Sequence, residues 1–169
     1  HWDQWQHPQQ RTQLFALDLY RHQSGWTVRD KIRNLLQATR LESPVGPLGD
    51  ASDFSLSRHY VAFTAKDPDA PPAWHTRQHI YLVPLDGHAP PKRISLAENR
   101  GWAGTPVISP NEDMVLFLQQ YKDGFESDRK VLQAYLMEEG QQVEIFPEWD
   151  MSPDTLSFSS DGRTPVSYT

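Results

Sequence analysis

The sequence predicts an all-β fold. Two observations carry that expectation: short apolar runs rich in aromatic and β-branched residues, and a segment that recurs along the chain. The runs are "TQLFALDL" (12–19), "YVAFTA" (60–65), "HIYLVPL" (79–85), "MVLFLQ" (114–119), "KVLQAYLM" (130–137) and "VEIF" (143–146). Turn-forming stretches such as "DPDAPP", "LDGHAPP" and "SSDG" lie between them. In "TVRDKIRNLLQA" (27–38), Val28, Ile32, Leu35 and Leu36 approach helical spacing, but no convincing cap precedes them. Strand plus loop is expected there.

The recurring segment reads "FSLSRHYVAF" (54–63), "ISPNEDMVLF" (108–117) and "FSSDGRTPVSY" (158–168). Its leading serines, Ser55, Ser109 and Ser159, are separated by 109 − 55 = 54 and 159 − 109 = 50 residues. The second period holds four strand candidates, roughly 113–119, 129–137, 142–147 and 154–159. Four antiparallel strands in about 50 residues is the size of a propeller blade. The expectation is therefore a partial β-propeller of about three four-stranded antiparallel blades, with units beginning near Ser55, Ser109 and Ser159. A β-sandwich with coincidental serine turns is the competing reading. The Ser-x-Asp-Gly turn survives only in the third copy, so the first two must use another geometry or tolerate strain. Residues 1–169 thus read as part of one propeller domain. The opening "HWDQWQHPQQ", without Met, and the closing "VSYT" both suggest a piece of a longer polypeptide.

A hydrophobic fraction of 37% and an aromatic fraction of 11% suit a folded chain. A formal charge of −6 weighs against a nucleic-acid partner, which wants a basic face. No apolar run reaches the length of a membrane-spanning helix. There is no cysteine, hence no disulfide or thiolate chemistry, and Asn34, Asn99 and Asn111 are not in glycosylation sequons.

The stretches "HWD" (1–3), "ESPVGPLGDASDFSLS" (42–57), "VAFTAKDP" (61–68), "IYLVPLDG" (80–87), "PVISP" (106–110), "FESDRKVL" (125–132) and "WDMSPD" (149–154) occur in an order that spans the chain. In them the sequence resembles the dipeptidyl-peptidase V branch of the prolyl oligopeptidase family of serine peptidases. The resemblance implies a parent with an N-terminal β-propeller and a C-terminal α/β-hydrolase domain, the latter absent from this chain. It also implies removal of dipeptides from peptide N-termini, a peptide substrate, and a secreted protein, with a cytoplasmic one as the alternative. The propeller would gate access and help select substrates. A non-catalytic β-propeller interaction module, as in periplasmic translocation-type proteins with a Ser-Pro-Asp-Gly repeat, is the other reading of function.

Acyl transfer by a serine hydrolase needs a nucleophile in a Gly-x-Ser-x-Gly elbow, and no such pentapeptide occurs. No catalytic residue is therefore expected here, and no cofactor. His75 and His79 have the i, i+4 spacing of a zinc helix but lack the Glu of H-E-x-x-H and run into a strand, where four residues span about 13 Å. No metal site is expected; His7, His22, His59 and His88 read as loop residues. Of the six tryptophans, Trp2 and Trp149 read as structural and Trp74 as the most exposed. "DGFESDRK" (123–130) gathers an aromatic and several charges in one turn. Measuring two residues from a free amine calls for a carboxylate at a fixed distance from the nucleophile. Glu126, walled by Phe125, is the substrate-binding candidate; the structural alternative is that Glu126 pairs with Arg129 or Lys130 or fixes the domain interface, with Asp128 capping the turn.

Overall fold

The computed structural model describes residues 10–28, 31–69 and 74–168. Its strands are β1 Phe15–Ala16, β2 Leu19–His22, β3 Gly25–Val28, β4 Arg33–Asn34, β5 Phe54–Leu56, β6 Tyr60–Lys66 and β7 Gln78–Pro84. They continue as β8 Lys92–Arg93, β9 Ala103–Ile108, β10 Met114–Gln119, β11 Val131–Leu136, β12 Gln141–Ile145, β13 Thr155–Phe158 and β14 Pro165–Tyr168. Among the described residues there are two four-stranded antiparallel sheets, β5-β6-β7-β8 and β9-β10-β11-β12, with each strand beside its sequence neighbour. The hairpins β2-β3 and β13-β14 and the short β1-β4 ladder flank them. "TVRDKIRNLLQA" supplies the end of β3, then β4 and a turn where it is described, not a helix.

Side chains of a strand point alternately to its two faces, and the central strands bury both. Val61, Phe63 and Ala65 of β6 join Tyr81 and Val83 of β7 and the N-terminal Leu14, Ala16, Leu35 and Leu36 in one core. Phe63 and Tyr81, directly opposed across the strands, stack with centroids 5.5 Å apart. Ala62, Ile80 and Leu82 turn to the other face, where they meet Ala103, Ile108, Val115 and Phe117 of the second sheet. That sheet sends Leu116, Leu118, Leu132 and Ala134 the opposite way, against Leu156 and Phe158 of β13. Sheets stacked face to face, each a simple meander, form the partial β-propeller expected from the sequence.

The phase of the blades differs from the expectation. The second sheet begins with β9, before Ser109, and the candidate at 154–159 belongs to the next sheet as β13. Gly104, Thr105 and Pro106 dilute the apolar pattern of β9, so its strand character does not show in the sequence. Pro106, without an N–H, is accommodated where β9 and β10 shift register, beside Thr105 at φ 51°. Gly104 is required because the Trp102 ring lies where a Cβ would be, 2.1 Å from it.

The serines cap the turn between the first and second strands rather than opening a unit. The Ser109 Oγ accepts from the backbone N–H groups of Asp113 and Met114, both at 3.1 Å, and donates to the Asp113 carboxylate at 2.5 Å. Ser159 repeats this by accepting from Thr164 N–H and donating to Asp161. In the first sheet the role falls to Ser57, whose Oγ accepts from Tyr60 N–H. Ser55 sits inside β5, where its Oγ accepts from Ile108 N–H and ties the first sheet to the second.

Both escapes from the lost glycine occur. Gly162 in the third turn has φ 71°, and Glu112 takes the same place in the second turn at φ 57°. A non-glycine residue there costs about 1 kcal/mol. The first turn, Ser57 to Tyr60, is shorter and has no positive-φ residue. Glu112 uses its position: His59 N–H donates to Oε1 at 2.7 Å, and the His59 Nδ1 lies 2.6 Å from Oε2. Asn111 Nδ2 donates in turn to the Asp161 carbonyl, so each turn holds the next. Burial pushes the Glu112 carboxyl up, but hydrogen bonds from Ser57 and from the His59 ring and backbone outweigh it and hold it at about 2.

Two predictions follow from these turns. Ser109→Ala removes a buried hydroxyl that accepts two N–H bonds and should lower unfolding free energy by about 1–3 kcal/mol, against less for Ser159→Ala, whose bond lies nearer solvent; urea titration of both variants compares them. Because the Glu112 pKa is depressed from 4.5 to about 2, its stabilisation is complete above 4.5 and lost as pH falls towards 2. Thermal melts of Glu112→Gln should therefore depend less on pH than wild type across that window. An unchanged slope would remove Glu112 from the acid response.

Candidate functional site

The serine turns occupy one end of the sheets, and the antiparallel order sends the longer connections to the other. There the segments before β5, between β6 and β7, before β9 and between β10 and β11 surround a cleft of about 430 Å³. Its walls include Leu48, Lys66, His75, Trp102, Glu126 and Lys130. Most of these residues are far apart in sequence and meet because four connections share one end.

The loop carrying Glu126 is held by its backbone. Gln120, buried at the end of β10, donates from Nε2 to the carbonyls of Glu126 at 2.9 Å and Asp128 at 2.6 Å. The Asp128 carboxylate accepts from Tyr121 and Lys122 N–H, both at 3.0 Å, closing the turn from inside. Burial pushes the Asp128 carboxyl up, yet those N–H groups and the nearby Lys122 ammonium bring it below the ordinary carboxylate range. Asp128 is therefore the turn cap expected as the structural alternative.

Glu126 behaves differently. Its carboxylate makes no hydrogen bond or ion pair among the described residues, and it lines the cleft. Neither expected structural partner is engaged with it: Lys130 pairs with Asp154 at 3.1 Å, and the Arg129 guanidinium donates to the Trp149 carbonyl. Lys130 also lies over the Trp102 ring, 5.8 Å from its centroid. Phe125 is 49% exposed, with the Lys122 ammonium 5.2 Å above its ring, and does not line the cleft. The structure thus brings Glu126 to the cleft and leaves Phe125 on the outer side of the turn.

A second loop is tied to this one. Thr76 N–H donates to the Asp123 carboxylate at 2.8 Å, Gly124 N–H donates to Thr76 Oγ1 at 2.9 Å, and Arg77 pairs with Asp123 at 3.4 Å. His75, beside Thr76, is thereby fixed relative to Glu126. In the sequence His75 suggests nothing beyond the metal spacing with His79; the pairing of its loop with "DGFESDRK", 47 residues away, leaves no local signal.

The other histidines and the tryptophans divide as follows. His79 lies inside β7, buried, with Nδ1 3.3 Å from Ser95 Oγ; desolvation, aided by Arg93, lowers it to about 4. His59 and His88 are in turns, whereas His22 ends β2 and is not a loop residue. Trp74 is exposed as expected, at 86%. Trp149 also retains exposure, so the large aromatics between sheets are Phe63, Tyr81, Phe117 and Tyr135 instead. "HWD", Trp2, Trp5 and His7 lie outside the described residues.

No protein-family model matches the chain. Among solved structures it resembles TolB from Acinetobacter baumannii, with a TM-score of 0.53 and 14% identity, covering 81% of this chain and 29% of that one. TolB is a β-propeller, and the likeness shows the fold. Sequence relatives are more specific. Dipeptidyl-peptidase 5 of Aspergillus fumigatus is 33% identical over 154 residues, 85% of this chain and 21% of the relative. The Trichophyton schoenleinii dipeptidyl-peptidase 5 is 33% identical over 175 aligned positions, 97% of this chain and 24% of the relative. The Aspergillus clavatus protein named "Probable dipeptidyl-peptidase 5" is 35% identical over 156 residues, 86% of this chain and 22% of the relative. The chain spans about a fifth of the length of these relatives. With a propeller fold and this similarity along its length, the chain matches one segment of the larger dipeptidyl-peptidase 5 proteins.

Proposed function

We propose that this chain is the substrate-facing propeller portion of a peptidase that removes dipeptides from peptide N-termini. In this reading Glu126 holds the free amine of the substrate, and the cleft admits only a chain end. The single observation that carries it is the unpaired Glu126 carboxylate on a cleft at the loop end of the sheets, with its backbone pinned and its side chain free. A carboxylate used only for stability would be expected to take a neighbouring Lys or Arg, and both nearby cations are committed elsewhere.

The chemistry is one of discrimination rather than bond breaking. A charge-assisted hydrogen bond contributes about 1.5–3 kcal/mol, more when a wall of protein excludes water from one side. An α-ammonium group engages such a carboxylate and a blocked amine does not. The nucleophile and its general base would come from the α/β-hydrolase domain that the family resemblance implies, seated over the loop end.

In the longer peptidase that contains this segment, Glu126→Gln should raise KM for free-amine dipeptidyl substrates by roughly ten- to a hundredfold. N-acetylated analogues should change little. Asp128→Asn, which loosens the turn without touching the amine, should produce a smaller rise. Equal losses on free and acetylated substrates, or a lower Tm with unchanged kinetics, would assign Glu126 to structure.

A further inference from the structure

We propose that Lys66 is a specificity residue of this cleft, pairing its ammonium with a carboxylate of the bound peptide. The proposal rests on reading the Glu126 cleft as the site of the amine. Three observations lead to it.

The first is position. Lys66 ends β6 opposite Gln78 of β7, and both residues line the cleft. Side chains alternate along a strand, so Lys66 leaves β6 on the face of Ala62, toward the second sheet. Trp102 and Gln120, at the loop end of that sheet, line the same cleft. The second observation is availability. Lys66 is half-buried, yet its ammonium is not among the polar atoms sealed from water without a partner. Among the described residues it makes no hydrogen bond or ion pair. Carboxylates near it in the chain or on the walls are committed. Asp53 accepts from Val45 N–H at 2.7 Å and Asp67 from Asp69 N–H at 3.0 Å; Asp69 pairs with Arg40, and Glu42 accepts from Thr12. The third is charge. Lys130, the other ammonium on the cleft, pairs with Asp154 and lies over Trp102. Among the described residues the cleft is left with one uncommitted ammonium, Lys66, and one uncommitted carboxylate, Glu126, and no ion pair joins the two.

Opposite charges that share a cleft without meeting are complemented by a ligand that carries both. A peptide N-terminus supplies the ammonium. The carboxylate has two sources: an acidic side chain on one of the first two residues, or the terminal carboxylate of a released dipeptide. Either would be drawn to Lys66 by an attraction that salt weakens, because the cleft is open to water. The first would select among substrates, and the second would retain product. In both, Lys66 reads charge and takes no part in bond breaking.

The test titrates the ¹⁵N-labelled full chain with alanyl-alanine, alanyl-alanine amide, and the α-amides of glutamyl-alanine and alanyl-glutamate, each also in N-acetylated form. At low salt, at least one carboxylate-bearing probe should bind roughly five- to tenfold more tightly than alanyl-alanine amide. Tighter binding of alanyl-alanine assigns the terminal carboxylate as the partner; tighter binding of a glutamyl amide assigns the acidic side chain. Lys66→Met, which keeps the apolar stem, should abolish the preference, and Lys66→Arg should retain part of it. Equal binding of the carboxylate probes and the neutral amide overturns the proposal even if Lys66→Met fails to fold. So does a preference that survives Lys66→Met. If N-acetylation still weakens binding in either case, the Glu126 reading stands without Lys66. A Lys66-dependent preference that is indifferent to N-acetylation would support Lys66 while overturning the Glu126 reading. Absence of binding by every probe overturns both.

Discussion

Burial of both faces of the central strands is the constraint on which the rest of this structure depends. A strand covered on one face needs one apolar partner surface; β6, β7, β10 and β11 need two. Alternation then assigns Val61, Phe63 and Ala65 to one core and Ala62 to another, and likewise splits Val115 and Phe117 from Leu116 and Leu118. Each sheet becomes the shared wall of two cores. A register slip of one residue would exchange the contents of both, so the packing enforces the pairing.

Stacked sheets alone would leave their relative positions loosely defined, because apolar contact is not directional. The turns supply direction. Ser55 joins β5 to β9, Glu112 joins the second turn to His59, and Asn111 joins it to the third. These bonds explain why Glu112 occupies a backbone conformation suited to glycine: its side chain makes contacts that glycine could not. Local strain is offset by a tie between sheets.

At the opposite end the same stacking brings long connections together, and here polar groups divide by task. Gln120 and Asp128 spend their hydrogen-bonding capacity on the backbone of their own loop, and Asp123 on the neighbouring one. Among the described residues, Glu126 and Lys66 have none of theirs used. Rigid surroundings with unspent groups are the arrangement expected of a recognition site, since the cost of ordering has been met before the ligand arrives.

How much was legible in the sequence follows from the range of each interaction. Short continuous apolar runs rich in aromatic and β-branched residues identify β-strands because those side chains suit an extended chain buried on both faces. The recurring serine turns reveal the blade size because each turn is closed within a few residues. The capping role of Asp128 was readable for the same reason. Blade phase was not: whether Thr155–Phe158 closes one sheet or opens the next depends on its pairing with Pro165–Tyr168, not on its own residues. Nor did the sequence distinguish Ser55 from Ser57, since both precede the same strand and only the fold sets one against Ile108 and the other in the turn. The sequence by itself determined the all-β class, the repeat and Glu126 as a carboxylate set in a turn. Only the tertiary structure decided that His75 shares its cleft and that Lys130 and Arg129 are otherwise engaged, because these relations join residues whose separation along the chain bears no relation to their distance in space.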